Sequence, residues 1–398
     1  MISVLQAQET IDQHVASLGN ESVPLVSAHG RVLRESVASS EDMPAFDRSA
    51  MDGYAIRFDD DAKQFEVIGE IRAGQFVDWK LRPGQAIRIL TGAKLPGPGL
   101  KVVIQEDVDV SGQRLLISKQ SPATNIRKRG EDAKAGDVLL QPGQVLDATA
   151  LAVLASVGKT APLVSKIPRI FHLTTGDEIV APEETPAQGQ IRNSNASLIA
   201  GLCREHGIDS VTHRHVGDDP LAMTAAFEKV EAKMFDLVLI SGGSGGGTYD
   251  FSIEFFTSLK AIIHFRSVNV RPGKPLIFGT TPSQIVFGLP GNALSHFVCF
   301  HLFVRRALSR LMARSVPAVT HGFVIEPMTN LLNPRESWWQ AQTTLENGRL
   351  GCRALPWKSS GDITRLPVAN ALMKVPASTS HLDAGSQVEL LFTRNQWS

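Results

Sequence analysis

Apolar positions along the chain fall into two textures. Val4, Leu5, Ile11, Val15 and Leu18 predict an amphipathic helix over residues 3–18, closed by Gly19. From about 22 to 150, short alternating runs such as Phe65-Glu-Val-Ile-Gly and Lys101-Val-Val-Ile-Gln are separated by Gly and Pro turns. That pattern predicts a β-rich region. Residues 147–157 predict a short helix capped by Gly158. From 168 to about 313, strands and helices alternate. The strands are Arg169-Ile-Phe-His-Leu-Thr, Asp209–Val216, Asp236-Leu-Val-Leu-Ile-Ser and Ile285-Val-Phe-Gly, with a further one ending at Val270. The helices are 194–205, 220–233, 250–258 and a long one reaching about 312. Strands spaced by crossover helices imply a parallel, doubly wound sheet. After Pro317 short β-like runs return, so the fold class is multidomain α/β plus β.

Composition narrows the function. The chain has 398 residues, which at roughly 150 per domain predicts two to four domains. Lys plus Arg is 40 and Asp plus Glu is 40, so the formal net charge is zero. Binding to nucleic acid or a membrane surface needs a cationic surplus, so neither is expected. No apolar run reaches the ~18 residues of a membrane span. The polar, acidic N-terminus does not resemble a secretory signal. Cys203, Cys299 and Cys352 are an odd, widely spaced set, predicting reduced thiols and a cytoplasmic protein.

Ligands of open α/β sheets bind beyond the carboxyl ends of the strands. Three unusual loops follow strands here: Thr175-Gly-Asp-Glu178, Ser241-Gly-Gly-Ser-Gly-Gly-Gly247 and Gly288-Leu-Pro-Gly-Asn292. They are expected to converge on one edge. Bare amides in the glycine loop suit an anion, or form a tight connection. No Gly-x-Gly-x-x-Gly register fits, because Thr248 falls at the third glycine. Gly242-Gly-Ser-Gly-Gly246 matches a nucleophile elbow, yet no downstream Asp and His stand out as partners. In Arg271-Pro-Gly-Lys-Pro275 two prolines bracket a lysine, either presenting it to an oxyanion or leaving it in a solvated turn. Asp52, Asp132, Glu178, Asp218 and Asp250 each sit in a turn context, where any one alone reads as a turn or cap residue. Two carboxylates 5 Å apart at an effective dielectric of 20 repel by roughly 3 kcal/mol, so a converging cluster needs a cation. Oxygen ligands favour Mg²⁺.

Together these segments resemble the molybdopterin molybdenumtransferase family, of the MoeA and gephyrin E-domain type. The matching stretches begin at Pro44-Ala-Phe-Asp-Arg-Ser-Ala-Met-Asp-Gly-Tyr-Ala55 and continue through Thr91-Gly-Ala93, Asn125–Asp132 and Leu173-Thr-Thr-Gly-Asp-Glu178. Gly189-Gln-Ile-Arg-Asn-Ser-Asn195, Ser241-Gly-Gly243, Pro272-Gly-Lys-Pro275 and Gly288-Leu-Pro-Gly-Asn292 follow, then Ser360-Gly-Asp-Ile363 with Ala369-Asn-Ala-Leu372. They keep the family's order over nearly the whole chain.

The resemblance implies an elongated subunit of four parts. These are a molybdopterin-binding α/β domain (1–20 and 168–315), a linker region (21–40 and 137–167), a β-rich insert (41–136) and a C-terminal β-barrel (316–398). It implies a homodimer with the active site at the subunit interface, and an adenylyltransferase as a partner in cofactor synthesis. The implied reaction inserts molybdate into adenylylated molybdopterin and releases AMP, with Mg²⁺. Asp52, Asp132, Glu178, Asp218 and Asp250 would be catalytic, the last three holding the metal. Thr91, Ser241, Gly242, Gly243, Arg271, Lys274, Pro275, Asn292, Ser359 and Ser360 would bind substrate. The chain departs from the pattern at Ser244-Gly-Gly-Gly247 and at Ala293, which replaces a proline. It also departs at Ser267 and Gln340, where some relatives carry lysine and arginine. The alternatives are a non-catalytic pterin-binding scaffold or carrier, and a tungstate-preferring enzyme.

Overall fold

The structure, a computed structural model, describes residues 1–209, 211–228, 234–242, 251–329 and 331–394. Internal contacts divide the chain into two units. One comprises Met1–Ser22, Gly30–Val32 and Leu163–Ser398; the other comprises Val23–His29 and Leu33–Pro162.

The larger unit opens with α1 (Val4–His14), started by a capping box in which Ser3 and Gln6 satisfy each other's backbone N–H groups. Its six-stranded sheet holds β1 (Ile170–Thr175), β2 (Val211–Val216), β3 (Leu237–Ser241), β4 (Ile262–Phe265), β5 (Ile277–Thr280) and β6 (Ile285–Leu289), in the order β2-β1-β3-β6-β5-β4. Between them lie α2 (Ser194–Glu205), α3 (Pro220–Glu228) and α4 (Phe251–Ser258). The helix after β6, α5, runs through Ala293–Cys299, a π segment at Phe300–Val304, and Arg305–Leu311.

Side chains alternate across a strand, and the core follows that period. Leu237 and Leu239 face one apolar cluster with Ile11, Ile199 and Phe300, whereas Val238 and Ile240 face a second with Met223, Phe227 and Phe255. Each strand buried on both faces therefore appears as a continuous apolar run.

The sheet corrects one expectation. Only β2, β1, β3 and β6 run parallel; β5 is antiparallel to both β6 and β4. The connection between β5 and β6 spans only residues 281–284. Parallel neighbours need a long crossover, so so short a link forces a hairpin.

The C-terminal part of this unit carries β7 (Thr320–Val324), β8 (Glu336–Glu346), β9 (Arg349–Ala354), β10 (Ala371–Val375) and β11 (Gln387–Phe392). They pair in the order β8-β9-β7-β11-β10, and β8 closes on β10, making a five-stranded barrel. Its interior holds Val324, Ala341, Met373, Val388 and Leu390. The short strand Val270–Arg271 pairs with Glu336 and Ser337 of β8, tying the segment after β4 to the barrel.

The smaller unit is built on a six-stranded sheet that includes Gly53–Arg57, Gln64–Ile71, Gln85–Ile89 and Leu100–Ile104. Ile87, Ile89 and Val102 fill one face, with Ile56, Phe65 and Leu115 on the other. A helix at Ala148–Ser156 follows, N-capped by the Asp147 carboxylate on the Ala150 amide. All three cysteines are free and buried; burial pushes the thiols of Cys203 and Cys352 up to about 12 and about 11. No helix among the described residues is long and apolar enough to cross a membrane.

Candidate functional site

Register brings the site together. Thr174 on β1 lies beside Ser241 on β3, and Ser241 lies beside Leu289 on β6. Thr175 pairs with Val216 at the end of β2. All four chains therefore leave the sheet at one edge, and the segments that follow line a cavity of about 630 Å³.

Gly242 makes the tightest passage there. Its φ is +104°, and an added Cβ would lie 2.7 Å from the Thr175 carbonyl oxygen, so only glycine fits. Asn195 donates to the Gly291 carbonyl at 2.7 Å and fixes the Pro-Gly-Asn turn. Asn193 caps α2 through the Ala196 amide and also donates to the Thr174 hydroxyl at 2.9 Å. Beneath this edge the Ser241 hydroxyl lies 2.6 Å from His172 Nε2 and 3.3 Å from His296 Nε2.

One wall is acidic. Glu178 and Asp218 both line it, and the Asp218 amide donates to the Asp177 carboxylate at 3.1 Å. Burial, and then the charges of Glu178 and Asp177, push the Asp218 carboxyl above its usual range.

The other wall is cationic, carrying Arg271, Lys274, Arg335 and Lys358, with Pro275 beside Lys274. The Arg271 guanidinium stacks over the Trp357 ring at 5.3 Å, and Trp339 braces that ring edge-on at 5.8 Å. Arg335 donates from Nη1 to the Val270 carbonyl at 3.1 Å. Ser359 and Ser360 complete this wall. The Ser360 carbonyl accepts from the Leu294 and Ser295 amides at 3.0 and 3.3 Å, and Asn292 Nδ2 donates to the Ser360 hydroxyl at 2.7 Å. The barrel loop is thus docked on the first turn of α5, using amides that would otherwise lack partners.

The structure thus gathers Glu178, Asp218, Ser241 and Gly242 with Arg271, Lys274, Pro275, Asn292, Ser359 and Ser360 around one cavity. Asp52, Thr91 and Asp132 belong to the smaller unit. There Asp52 accepts from the Thr91 amide and hydroxyl, each at 2.7 Å, and these bonds hold its carboxyl below the usual range. Asp132 pairs with Arg127. The two acids sit on segments that pair with each other, Ser49 opposite Ile126. Gly243 and Asp250 lie outside the described residues, as does the Ser244–Gly247 departure.

Gln340 is 1% exposed on β8 and its side-chain amide has no partner among the described residues. Beside the expected Arg271 and Lys274, the cavity gains positive charge from two residues that the sequence did not single out, Arg335 and Lys358. Trp357, His172 and His296 were missed as well. Only Lys358 and Trp357 carried a signal, adjoining Ser359 and Ser360.

Comparison with known proteins agrees with this architecture. Three family models match in order: the MoeA N-terminal region (domain I and II) over residues 2–158, a probable molybdopterin binding domain over 172–310, and the MoeA C-terminal region (domain IV) over 329–392. A molybdopterin molybdenumtransferase of Nostoc sp. is 35% identical, over 93% of this chain and 88% of its own. One from Staphylococcus epidermidis is 31% identical, over 99% of this chain and 96% of its own. The solved structure of a molybdopterin biosynthesis MoeA protein from Pyrococcus horikoshii OT3 superposes with a TM-score of 0.79 at 27% identity, covering 98% of this chain and all of that one. The chain belongs to the molybdopterin molybdenumtransferase (MoeA) family.

Proposed function

We propose that this protein is a molybdenum-insertion transferase of molybdenum cofactor biosynthesis. It takes adenylylated molybdopterin and molybdate, and yields the cofactor and AMP. The supporting observation is a single cavity lined by carboxylates from the segments after β1 and β2 and by four cationic side chains from the segment before β5 and from the barrel. A site that handles a dianionic oxyanion and a phosphoanhydride needs both signs of charge, held apart.

Residue roles follow from that geometry. Lys274, bracketed by prolines, and Arg271, held over the Trp357 ring, place molybdate. Arg335 and Lys358 add charge from the barrel side. Ser241 and the Gly242 turn receive the pterin, and Asn292 with Ser359 and Ser360 orient it.

The donor set on the acidic wall fits a hard divalent cation. Asp218 is pressed by two neighbouring carboxylates, a repulsion that a bound cation relieves. Among the described residues no cluster of three metal-ligating side chains forms, so Glu178 and Asp218 are the ligands the structure supplies, with Asp250 a proposed third. Bound there, Mg²⁺ would offset charge on the phosphoanhydride as it breaks.

The same reading makes the protein a homodimer in the cytoplasm, with Asp52 and Asp132 of the partner subunit completing each site. It divides the chain into the four parts given above, and it makes the adenylyltransferase that supplies the substrate a physical partner. The test is reconstitution. Purified protein, adenylylated molybdopterin, Mg²⁺ and molybdate are mixed with an apo-molybdoenzyme, whose activity should appear only with all components. Binding of the pterin with no activation would favour the carrier reading and reject this one.

A further inference from the structure

Three buried side chains beneath the cavity form a chain of hydrogen bonds whose polarity can be worked out. Ser241 is 2% exposed, and His172 and His296 are fully buried. His296 Nδ1 lies 3.1 Å from the Pro290 carbonyl oxygen, which can only accept, so Nδ1 carries the ring hydrogen. Burial brings the His296 pKa down to about 4, so the ring is neutral and Nε2 is bare. Nε2 therefore accepts from the Ser241 hydroxyl at 3.3 Å. That hydroxyl has one hydrogen, so toward His172 Nε2, at 2.6 Å, it must accept. His172 then carries its hydrogen on Nε2 and leaves Nδ1 bare, in keeping with the lack of any partner for Nδ1 among the described residues.

We propose that His172 and His296 are positioning residues that commit the Ser241 hydroxyl hydrogen inward, so that Ser241 meets its ligand as an acceptor. The cavity-side partner of Ser241 is then an N–H donor rather than a phosphate oxygen. On the proposed pterin reading, which this inference rests on, that donor is the exocyclic amine of the heterocycle. The two histidines set what the floor of the site recognises, although neither lines it.

Two measurements on the full chain test this. Nitrogen-15 NMR of labelled histidine should show opposite tautomers, with the hydrogen on Nδ1 of His296 and on Nε2 of His172. Titration with pterin and with lumazine, in which a carbonyl replaces the amine, should favour pterin by about tenfold. His296→Leu frees the hydroxyl to turn outward and should erase most of that preference. His172→Gln keeps an N–H donor and should retain it, while His172→Leu leaves the hydrogen on its way to His296 and should lower affinity for pterin with most of the preference kept. Should the leucine variants not fold, the wild-type tautomers and His172→Gln carry the test. The reverse tautomers, or equal binding of the two pteridines by the wild type, overturn the inference. Binding of neither pteridine instead overturns the pterin reading, and the ligand half of this inference with it, while the tautomers still decide the role of the histidines.

Discussion

Asp218 and Asp52 are both turn aspartates in glycine-rich segments, yet their surroundings are opposite. Asp218, on the acidic wall of the larger unit, faces Glu178 and Asp177, and its carboxyl is pushed up. Asp52, in the smaller unit, accepts two hydrogen bonds from Thr91, and its carboxyl is pulled down. Asp132 is likewise answered within its own unit by Arg127. The contrast teaches that a carboxylate's role depends on what is left unanswered around it. Around Asp218, burial and the charges of Glu178 and Asp177 outweigh what Thr175 and His215 give back, and that surplus invites a cation. Asp52 is already answered by Thr91 and keeps its charge to lower pH.

The sharpest way to break this contrast is substitution. Asp218→Asn should lower the rate of AMP release by about 10²–10³-fold with Mg²⁺ present, the size of effect seen when one group that stabilises developing charge is lost. An effect no larger than that of a surface substitution would show that the acidic wall holds no cation. Replacing Lys274 by Met should raise the KM for molybdate at least tenfold while Mg²⁺ affinity stays the same, separating the cationic wall from the acidic one. Steady-state kinetics with each ion varied in turn measures both.

A pH titration sharpens the comparison. Metal binding requires the carboxylate, and the raised Asp218 carboxyl takes up its proton early as pH falls. Mg²⁺ affinity should therefore begin to fall at a higher pH than an ordinary aspartate would give, and Asp218→Asn should remove that shoulder. Asp52→Asn should leave the shoulder in place, because the Asp52 carboxyl lies below its usual range and protonates later. Calorimetry of Mg²⁺ binding at several pH values reads this directly.

Smaller effects probe the scaffold. Gly242→Ala forces a Cβ against the Thr175 carbonyl at a positive φ, and should cost about 1–3 kcal/mol in denaturant unfolding. Trp357→Leu removes the surface under Arg271 and should weaken molybdate binding only a few-fold, in line with about 0.5–1 kcal/mol for a partly exposed cation–π contact.

Much of the fold was legible in the sequence because its signals are local. Strands such as Leu237–Ser241 are buried on both faces and show as apolar runs, and the glycine of the Ser241-Gly242 turn is demanded by its own backbone. The β5 strand was not legible, because Ile277–Thr280 is short and follows the proline-rich Arg271–Pro275 segment, so the antiparallel edge of the sheet went unseen. The π segment in α5 left no mark in a uniformly apolar run. Site residues divide the same way. Those in loops between strand and helix announced themselves by composition. Arg335 and Lys358 did not, since only closure of the barrel and docking of its loop on α5 bring them to the cavity. His172 and His296 sit within apolar stretches, where a histidine looks like ordinary core. Their pairing through Ser241 depends on the register of β1 against β3.

The central claim is that one cavity holds an oxyanion and a cation on opposite walls for a single transfer. Its most direct test is AMP release in a single turnover of pre-bound adenylylated molybdopterin, with molybdate and Mg²⁺ added separately and together. One AMP per cofactor formed, only when both ions are present, is the predicted result. AMP release at full rate without molybdate, or with Asp218 replaced by Asn, would contradict it.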